Sequence, residues 1–121
     1  MILADTFLWV RHFRQGMADF ARRLEGGDIA VHTVVLGELA TGNLARRSET
    51  LAFLRSLPSV WEGTREECMA FIEAQKIHGR GLGWNDVQLL VAARLSRTPL
   101  WSLDRPLMEA AEDLDIAYVA D

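Results

Sequence analysis

Gly81-Leu82-Gly83-Trp84-Asn85-Asp86-Val87-Gln88-Leu89-Leu90-Val91-Ala92-Ala93-Arg94-Leu95-Ser96 sets one acid at the mouth of an apolar run. Beyond Asp86 the residues are almost wholly apolar, which predicts a helix buried on most of its faces, and the glycines before it predict a loop ending where that helix begins. Asp86 therefore falls in the first helical turn. A carboxylate there is favoured by the helix dipole and can cap open N–H groups, so taken alone it is a helix start signal. Three more acids, Asp5, Glu38 and Asp104, stand at other points where the pattern changes type. Four such carboxylates ask for more than capping.

Outward from this helix, the chain alternates short β-favouring runs with helical spacing. Ile2 to Ala4 reads as a strand ending in Asp5-Thr6, and Phe7, Leu8, Val10, Arg11, Phe13 and Arg14 follow with helical spacing. Met17 to Leu24 reads as a second helix, stopped by Gly26-Gly27, and Ile29 to Val31 as a second strand. A helix opens at Thr33, with Val34, Val35, Leu36, Leu39, Ala40 and Leu44 as an apolar stripe and a partly shielded Glu38 among them. Ser48 is expected to cap a helix from Glu49 to Leu57, closed by Pro58, and Ser59 to Trp61 forms a weak third strand. Thr64 and Glu67 have the spacing of a capping box, opening a helix that carries Cys68, Met69, Phe71, Ile72 and Ile77 and ends at the glycines 79, 81 and 83. After the organising helix, Pro99 to Leu103 reads as a strand ending in Asp104. Arg105-Pro106 starts a last helix through Leu114, and Ile116 to Val119 is a closing strand.

Short strands alternating with helices predict an α/β fold, a short and mostly parallel central sheet covered by helices on both faces. In such a sheet a ligand crevice lies beyond the carboxyl ends of the strands. Asp5 and Asp104 end strands in this reading, and Glu38 and Asp86 reach the same crevice if the first strand is central. With 121 residues, half of them hydrophobic, the chain suffices for one core and falls short of two ordinary domains, so residues 1–121 are expected to form a single domain. No apolar stretch approaches a membrane span, and the start of the chain lacks the basic segment and long apolar run of a signal peptide. One cysteine, Cys68, cannot close an internal disulfide, and a cytoplasmic protein without membrane contact is expected.

The net charge of −4 makes the overall field repel nucleic acid, so any polyanion must be met locally. All basic residues except Lys76 are arginines, which suit phosphate recognition, although an arginine-biased genome gives the same count. Several carboxylates in one partly dry cleft repel one another, and a divalent cation resolves that conflict. Oxygen donors with no paired histidines or cysteines favour Mg2+, with Mn2+ as the alternative, and His12, His32 and His78 are assigned no metal role. Magnesium on carboxylates activates water for phosphodiester hydrolysis. Thr6 and Ser102 stand beside two of the acids and are expected to orient carboxylates or waters, or to serve simply as turn formers. The glycine run before Trp84 matches neither the P-loop nor the dinucleotide fingerprint, and the four tryptophans read as core or interface residues.

The segments Ile2-Leu3-Ala4-Asp5-Thr6, Val34 to Gly42, Gly83 to Leu90 and Leu100-Trp101-Ser102-Leu103-Asp104 together resemble the PIN-domain family, and within it the VapC-type toxins of bacterial toxin-antitoxin pairs. The resemblance covers essentially the whole chain, as four motifs in the right order. It implies a PIN-like three-layer domain and a magnesium-dependent endoribonuclease, with Asp5, Glu38, Asp86 and Asp104 as the catalytic and metal-binding acids. It also implies an RNA substrate, a homodimer and inhibition by a cognate VapB-type antitoxin. Arg105, just after Asp104, becomes a phosphate contact under this reading, or else the ion-pair partner of a neighbouring carboxylate. Ser102 stands where many relatives carry threonine, which keeps the hydroxyl. Two rival functions share the composition. A receiver-like phospho-acceptor domain needs an aspartate after its third strand and a lysine after its fifth, and Val60-Trp61-Glu62 and the helical Lys76 supply neither. A PIN domain reduced to a non-catalytic binding module would not need all four acids.

Overall fold

Ile2, Leu3 and Ala4 are apolar at consecutive positions, and all three are buried. Successive strand residues face opposite sides of a sheet, so this run requires cover on both faces. In the computed structural model, which describes residues 1–120, they form β1 (Ile2–Ala4), flanked by β2 (Ile29–Ala30) and β3 (Leu100–Trp101). Both neighbours pair with β1 in parallel, in the order β2-β1-β3, with Ile2 opposite Ile29 and Leu3 opposite Leu100. The first strand is thus central, and the chain leaves its carboxyl end at Asp5.

The helices are α1 (Thr6–Gln15), α2 (Ala18–Glu25), α3 (Thr33–Thr41), α4 (Arg47–Ser56), α5 (Arg65–Gln75), α6 (Trp84–Ser96) and α7 (Arg105–Asp113). The expected α/β arrangement, a short parallel sheet flanked by helices, is present. As its apolar run requires, α6 buries Val87 and every residue from Leu89 to Ala93, packing on α5, α3 and β3. Full burial of one such aliphatic side chain contributes about 1.5–3 kcal/mol, so this helix holds much of the core. Trp9 and Phe20, both fully buried, meet edge to face at 4.8 Å between ring centroids and join α1 to α2. Among the described residues, no helix is long and apolar enough to cross a membrane.

Several local expectations are corrected. Ser59 to Trp61 makes one parallel bridge, Val31 to Ser59, in place of a strand. Pro58 has no N–H to give, and the Trp61 N–H donates to Ser96 Oγ at 2.7 Å, which takes the segment away from the sheet. Ile116 to Val119 likewise contributes one bridge, Leu100 to Ala117, and Val119 is exposed. The strand expected to run to Leu103 stops at Trp101, because the Ser102 hydroxyl accepts from the Asp104 N–H at 3.0 Å and turns the chain. Asp104 consequently stands at the N-cap position of α7 and does not end a strand.

Helix ends differ in the same way. Ser48 lies inside the first turn of α4, whose cap is Arg46 in the left-handed region at φ 49°, held by an ion pair to Glu49. Leu44 lies beyond α3, which stops at Thr41 where the Arg47 guanidinium takes the carbonyls of Ala40 and Gly42. The α5 helix is closed by Lys76 at φ 53°, before the glycines, so that the buried Ile77 lies outside it. Its other end is as expected: the Thr64 hydroxyl accepts from the Glu67 N–H at 3.1 Å, and Glu67 accepts from the Thr64 N–H at 2.9 Å.

Candidate functional site

Asp5 is where the strand pattern gives way to the helix pattern, and the structure makes it the N-cap of α1. It is only 8% exposed. One carboxylate oxygen accepts from the Thr6 N–H at 2.7 Å and the other from the Ser102 hydroxyl at 2.7 Å. Burial raises its pKa above the usual 3.8; these hydrogen bonds work against the shift, and the charges of Glu38 and Asp104 add to it. The Thr6 hydroxyl turns the other way and donates to Glu38 at 2.8 Å. Thr6 and Ser102 are thus bonded directly to two of the acids.

Glu38 projects from α3 and is exposed at the rim, yet its carboxylate accepts a partly buried bond from the Thr6 hydroxyl and lines the cavity, so it is not fully solvated, as its apolar neighbours led one to expect. Val35 and Leu39 face the core, and among the described residues the Glu38 side chain is hydrogen-bonded to Thr6 alone. Asp86 sits in the first turn of α6 and accepts from the Gly83 N–H at 2.9 Å. Its capping role is therefore real, and it coexists with a place in the cluster. Burial raises its pKa, the Gly83 bond opposes that, and the charges of Asp104 and then Asp5 reinforce it. Asp104, at the start of α7, has no capping bond from its side chain.

Asp5, Glu38, Asp86 and Asp104 line one cavity of about 250 Å³, together with Thr6, Phe7, Asn85 and Leu89. Central placement of β1 produces this convergence: its carboxyl end opens between β2 and β3, where connections leave the sheet in opposite directions. The donors are carboxylate oxygens, with hydroxyls beside them, and suit a hard divalent cation. Among the described residues, no three Asp, Glu, His or Cys side chains are gathered closely enough to hold an ion as they stand.

Asn85 also lines the cavity without having been singled out in the sequence, as does Phe7, whose place on the apolar first helix allowed core, dimer surface or antitoxin groove. Their signal was adjacency: each stands in the first turn of a helix that also carries one of the acids. Arg105 does not line this cavity; it is 88% exposed and donates to Glu109 at 3.0 Å. Cys68 is buried, and the buried His32 stands at the N-cap of α3, where its Nδ1 accepts from the Val34 N–H at 2.9 Å. Trp9 is core, Trp101 half-buried, and Trp61 and Trp84 are exposed.

A short parallel sheet with acids gathered at the carboxyl end of its central strand defines an α/β domain of the PIN-like class. No family model matches the chain. Two relatives, ribonuclease VapC32 of Mycobacterium tuberculosis strain CDC 1551 / Oshkosh and of strain ATCC 25618 / H37Rv, are each 31% identical to it over 122 residues. Each alignment spans 100% of this chain and 98% of the relative. The chain belongs to the VapC family of PIN domains.

Proposed function

We propose that this protein is a magnesium-dependent endoribonuclease toxin, its 121 residues acting as one PIN domain. The carrying observation is that four carboxylates from four separate elements line one cavity at the end of the central strand. The ribonuclease relatives support the reaction class. The donor set fits the ion: a dication offsets the repulsion that Asp5 feels from Glu38 and Asp104, and Asp86 from Asp104 and Asp5. Asp5, Glu38, Asp86 and Asp104 hold it. Bound magnesium, or manganese, supplies charge neutralisation at the scissile phosphate and an activated water for in-line attack.

Each residue has a distinct task in this reading. Asp5 is the central ligand, because Thr6 and Ser102 fix both its oxygens before any ion arrives. Glu38 swings in from the rim, its carboxylate steered by the Thr6 hydroxyl. Asp86 presents the oxygen not engaged by Gly83. Asp104 binds the ion or orients the attacking water. Arg105 contacts a phosphate after exchanging Glu109 for it. The active form is a cytoplasmic homodimer, kept silent by a VapB-type antitoxin.

Purified protein is incubated with a mixed structured RNA pool in magnesium, in manganese and in chelator, beside Asp5→Asn. Metal-dependent cleavage that disappears in the variant is expected. Cleavage that survives chelation, or that the variant retains, would falsify the proposed site.

A further inference from the structure

Beside the acidic cavity lies a second one of about 450 Å³, lined by Phe7, Val10, Arg11, Arg14, Leu103 and Asp104 among others. Phe7 and Asp104 line both, so the two cavities adjoin. Phe7, Arg11 and Arg14 follow one another at i, i+4 and i+7 on a single face of α1, over a rise of about 10.5 Å. Phe7 is 68% exposed, and Leu103 across the cavity is also exposed. Most arginines of this chain are occupied: Arg22, Arg46, Arg65, Arg80 and Arg105 in ion pairs, Arg47 and Arg94 on carbonyls. Arg11 and Arg14 are not, nor are Arg55 and Arg97, but of these four only Arg11 and Arg14 line this cavity. Both are exposed, and neither has a hydrogen bond or ion pair among the described residues.

Two uncommitted guanidinium groups in a cavity that adjoins the acidic one through Asp104, in a chain of net charge −4, call for an anionic occupant that reaches from one cavity to the other. An exposed aromatic ring at the junction adds a platform for a flat, apolar face. We propose that this cavity binds the single-stranded RNA flanking the scissile phosphate, with Arg11 and Arg14 on its phosphates and Phe7 stacked on a base. The inference rests on the nuclease reading above and adds the path of the substrate, on residues outside the acidic site. A protein occupant is a separate idea: it would use the apolar wall and would not need both arginines on phosphates.

The test measures binding of a short fluorescent single-stranded RNA by anisotropy across a salt series, in an Asp5→Asn background so that the probe survives. Arg11→Gln/Arg14→Gln is compared with Arg55→Gln/Arg97→Gln, which removes the same charge from arginines that do not line the cavity. Glutamine is a good helix former, and both sites on α1 are exposed, so the fold is retained. The α1 pair is expected to bind roughly tenfold more weakly. Its plot of log affinity against log salt should be shallower by about 1.4, at about 0.7 per phosphate contact on single strands, while the control keeps the parent slope. Phe7→Leu is expected to weaken binding roughly tenfold, whereas Phe7→Trp keeps it, because only the aromatic ring stacks.

Equal affinity and slope in the α1 pair and the control would overturn the proposal, as would a loss that Phe7→Leu does not share. Unchanged RNA binding with altered self-association, or altered affinity for a protein partner, would assign the face to protein contact and overturn it too. Cleavage by the parent protein is scored separately. If the parent cleaves in magnesium while the α1 variants bind normally, only the path is wrong; if the parent neither cleaves nor binds RNA, the nuclease reading fails with it.

Discussion

Asp5 concentrates the conflict of the site in one residue: an acid with little exposure, hydrogen-bonded on both oxygens and facing other acids. Its pKa is raised in the folded protein, foremost by burial, so the native state holds the proton more tightly than the unfolded chain does. Stability therefore falls as pH rises from the unfolded value near 3.8 through the raised native value, and stays lower above it. Asp86 contributes in the same direction. Thermal melts in chelator across this range are expected to show a smaller fall in Asp5→Asn than in wild type. At neutral pH the variant should melt no lower than wild type, since an asparagine oxygen can still accept from Thr6 and its amide can donate to Ser102. Lost cleavage with a retained melt separates chemistry from folding. A variant that unfolds would make Asp5 a structural residue.

At the scale of elements, the placement of Glu38 depends on how α3 begins. His32 caps that helix through Nδ1, and Glu62, from the loop before α5, accepts from both the N–H and the hydroxyl of Thr33 at 3.0 and 2.7 Å. Burial holds the His32 pKa below its ordinary 6.5, while the Glu62 charge pulls it upward. The lowered value means that the unfolded chain takes the proton first, so this stability is present above pH 6.5 and is lost as pH falls through the native value. His32→Asn keeps an acceptor for Val34 but cannot titrate, and denaturant unfolding across this window should lose its His32-dependent slope. His32→Ala is expected to cost about 1 kcal/mol from the cap alone. Gly63, in the same loop, leaves no room: a Cβ there would lie 2.5 Å from Val91 Cγ1, on the buried face of α6. Gly63→Ala is expected to lower stability by about 1–3 kcal/mol. A melt equal to wild type would show that the loop shifts freely against α6.

The whole molecule assembles the acids from β1 and α1, α3, α6 and α7, so ion binding reports on the complete tertiary structure. Magnesium that binds only the folded state raises stability by RT ln(1 + [Mg2+]/Kd), about 2.7 kcal/mol at a hundredfold excess over Kd. A rising melting temperature with magnesium in wild type, and its absence in Asp5→Asn, is the expected result. Equal shifts in both would place the ion elsewhere. Much of this architecture was legible in the letters. Apolar periodicity marks α6, the Thr64 and Glu67 pair marks the start of α5, and Ile2 to Ala4 marks a strand buried on both faces. These signals are local, written within a turn of helix or a few strand residues, and the alternation of elements then implies a parallel sheet. What the letters left open was decided by partners distant along the chain. Ser102 meets Asp5 across 97 positions, and Trp61 gives its N–H to Ser96 across 35, removing a strand that composition favoured. The exposure of Glu38, and the opening of Arg11 and Arg14 onto a cavity shared with Asp104, likewise follow from how α1, α3 and α7 pack around the sheet. The sequence by itself determined the helices, the three short strands of the sheet and the four acids at their borders; tertiary structure decided which further β-favouring runs stay out of the sheet and brought the acids to one cavity, because both depend on long-range packing and hydrogen bonding that no local pattern encodes.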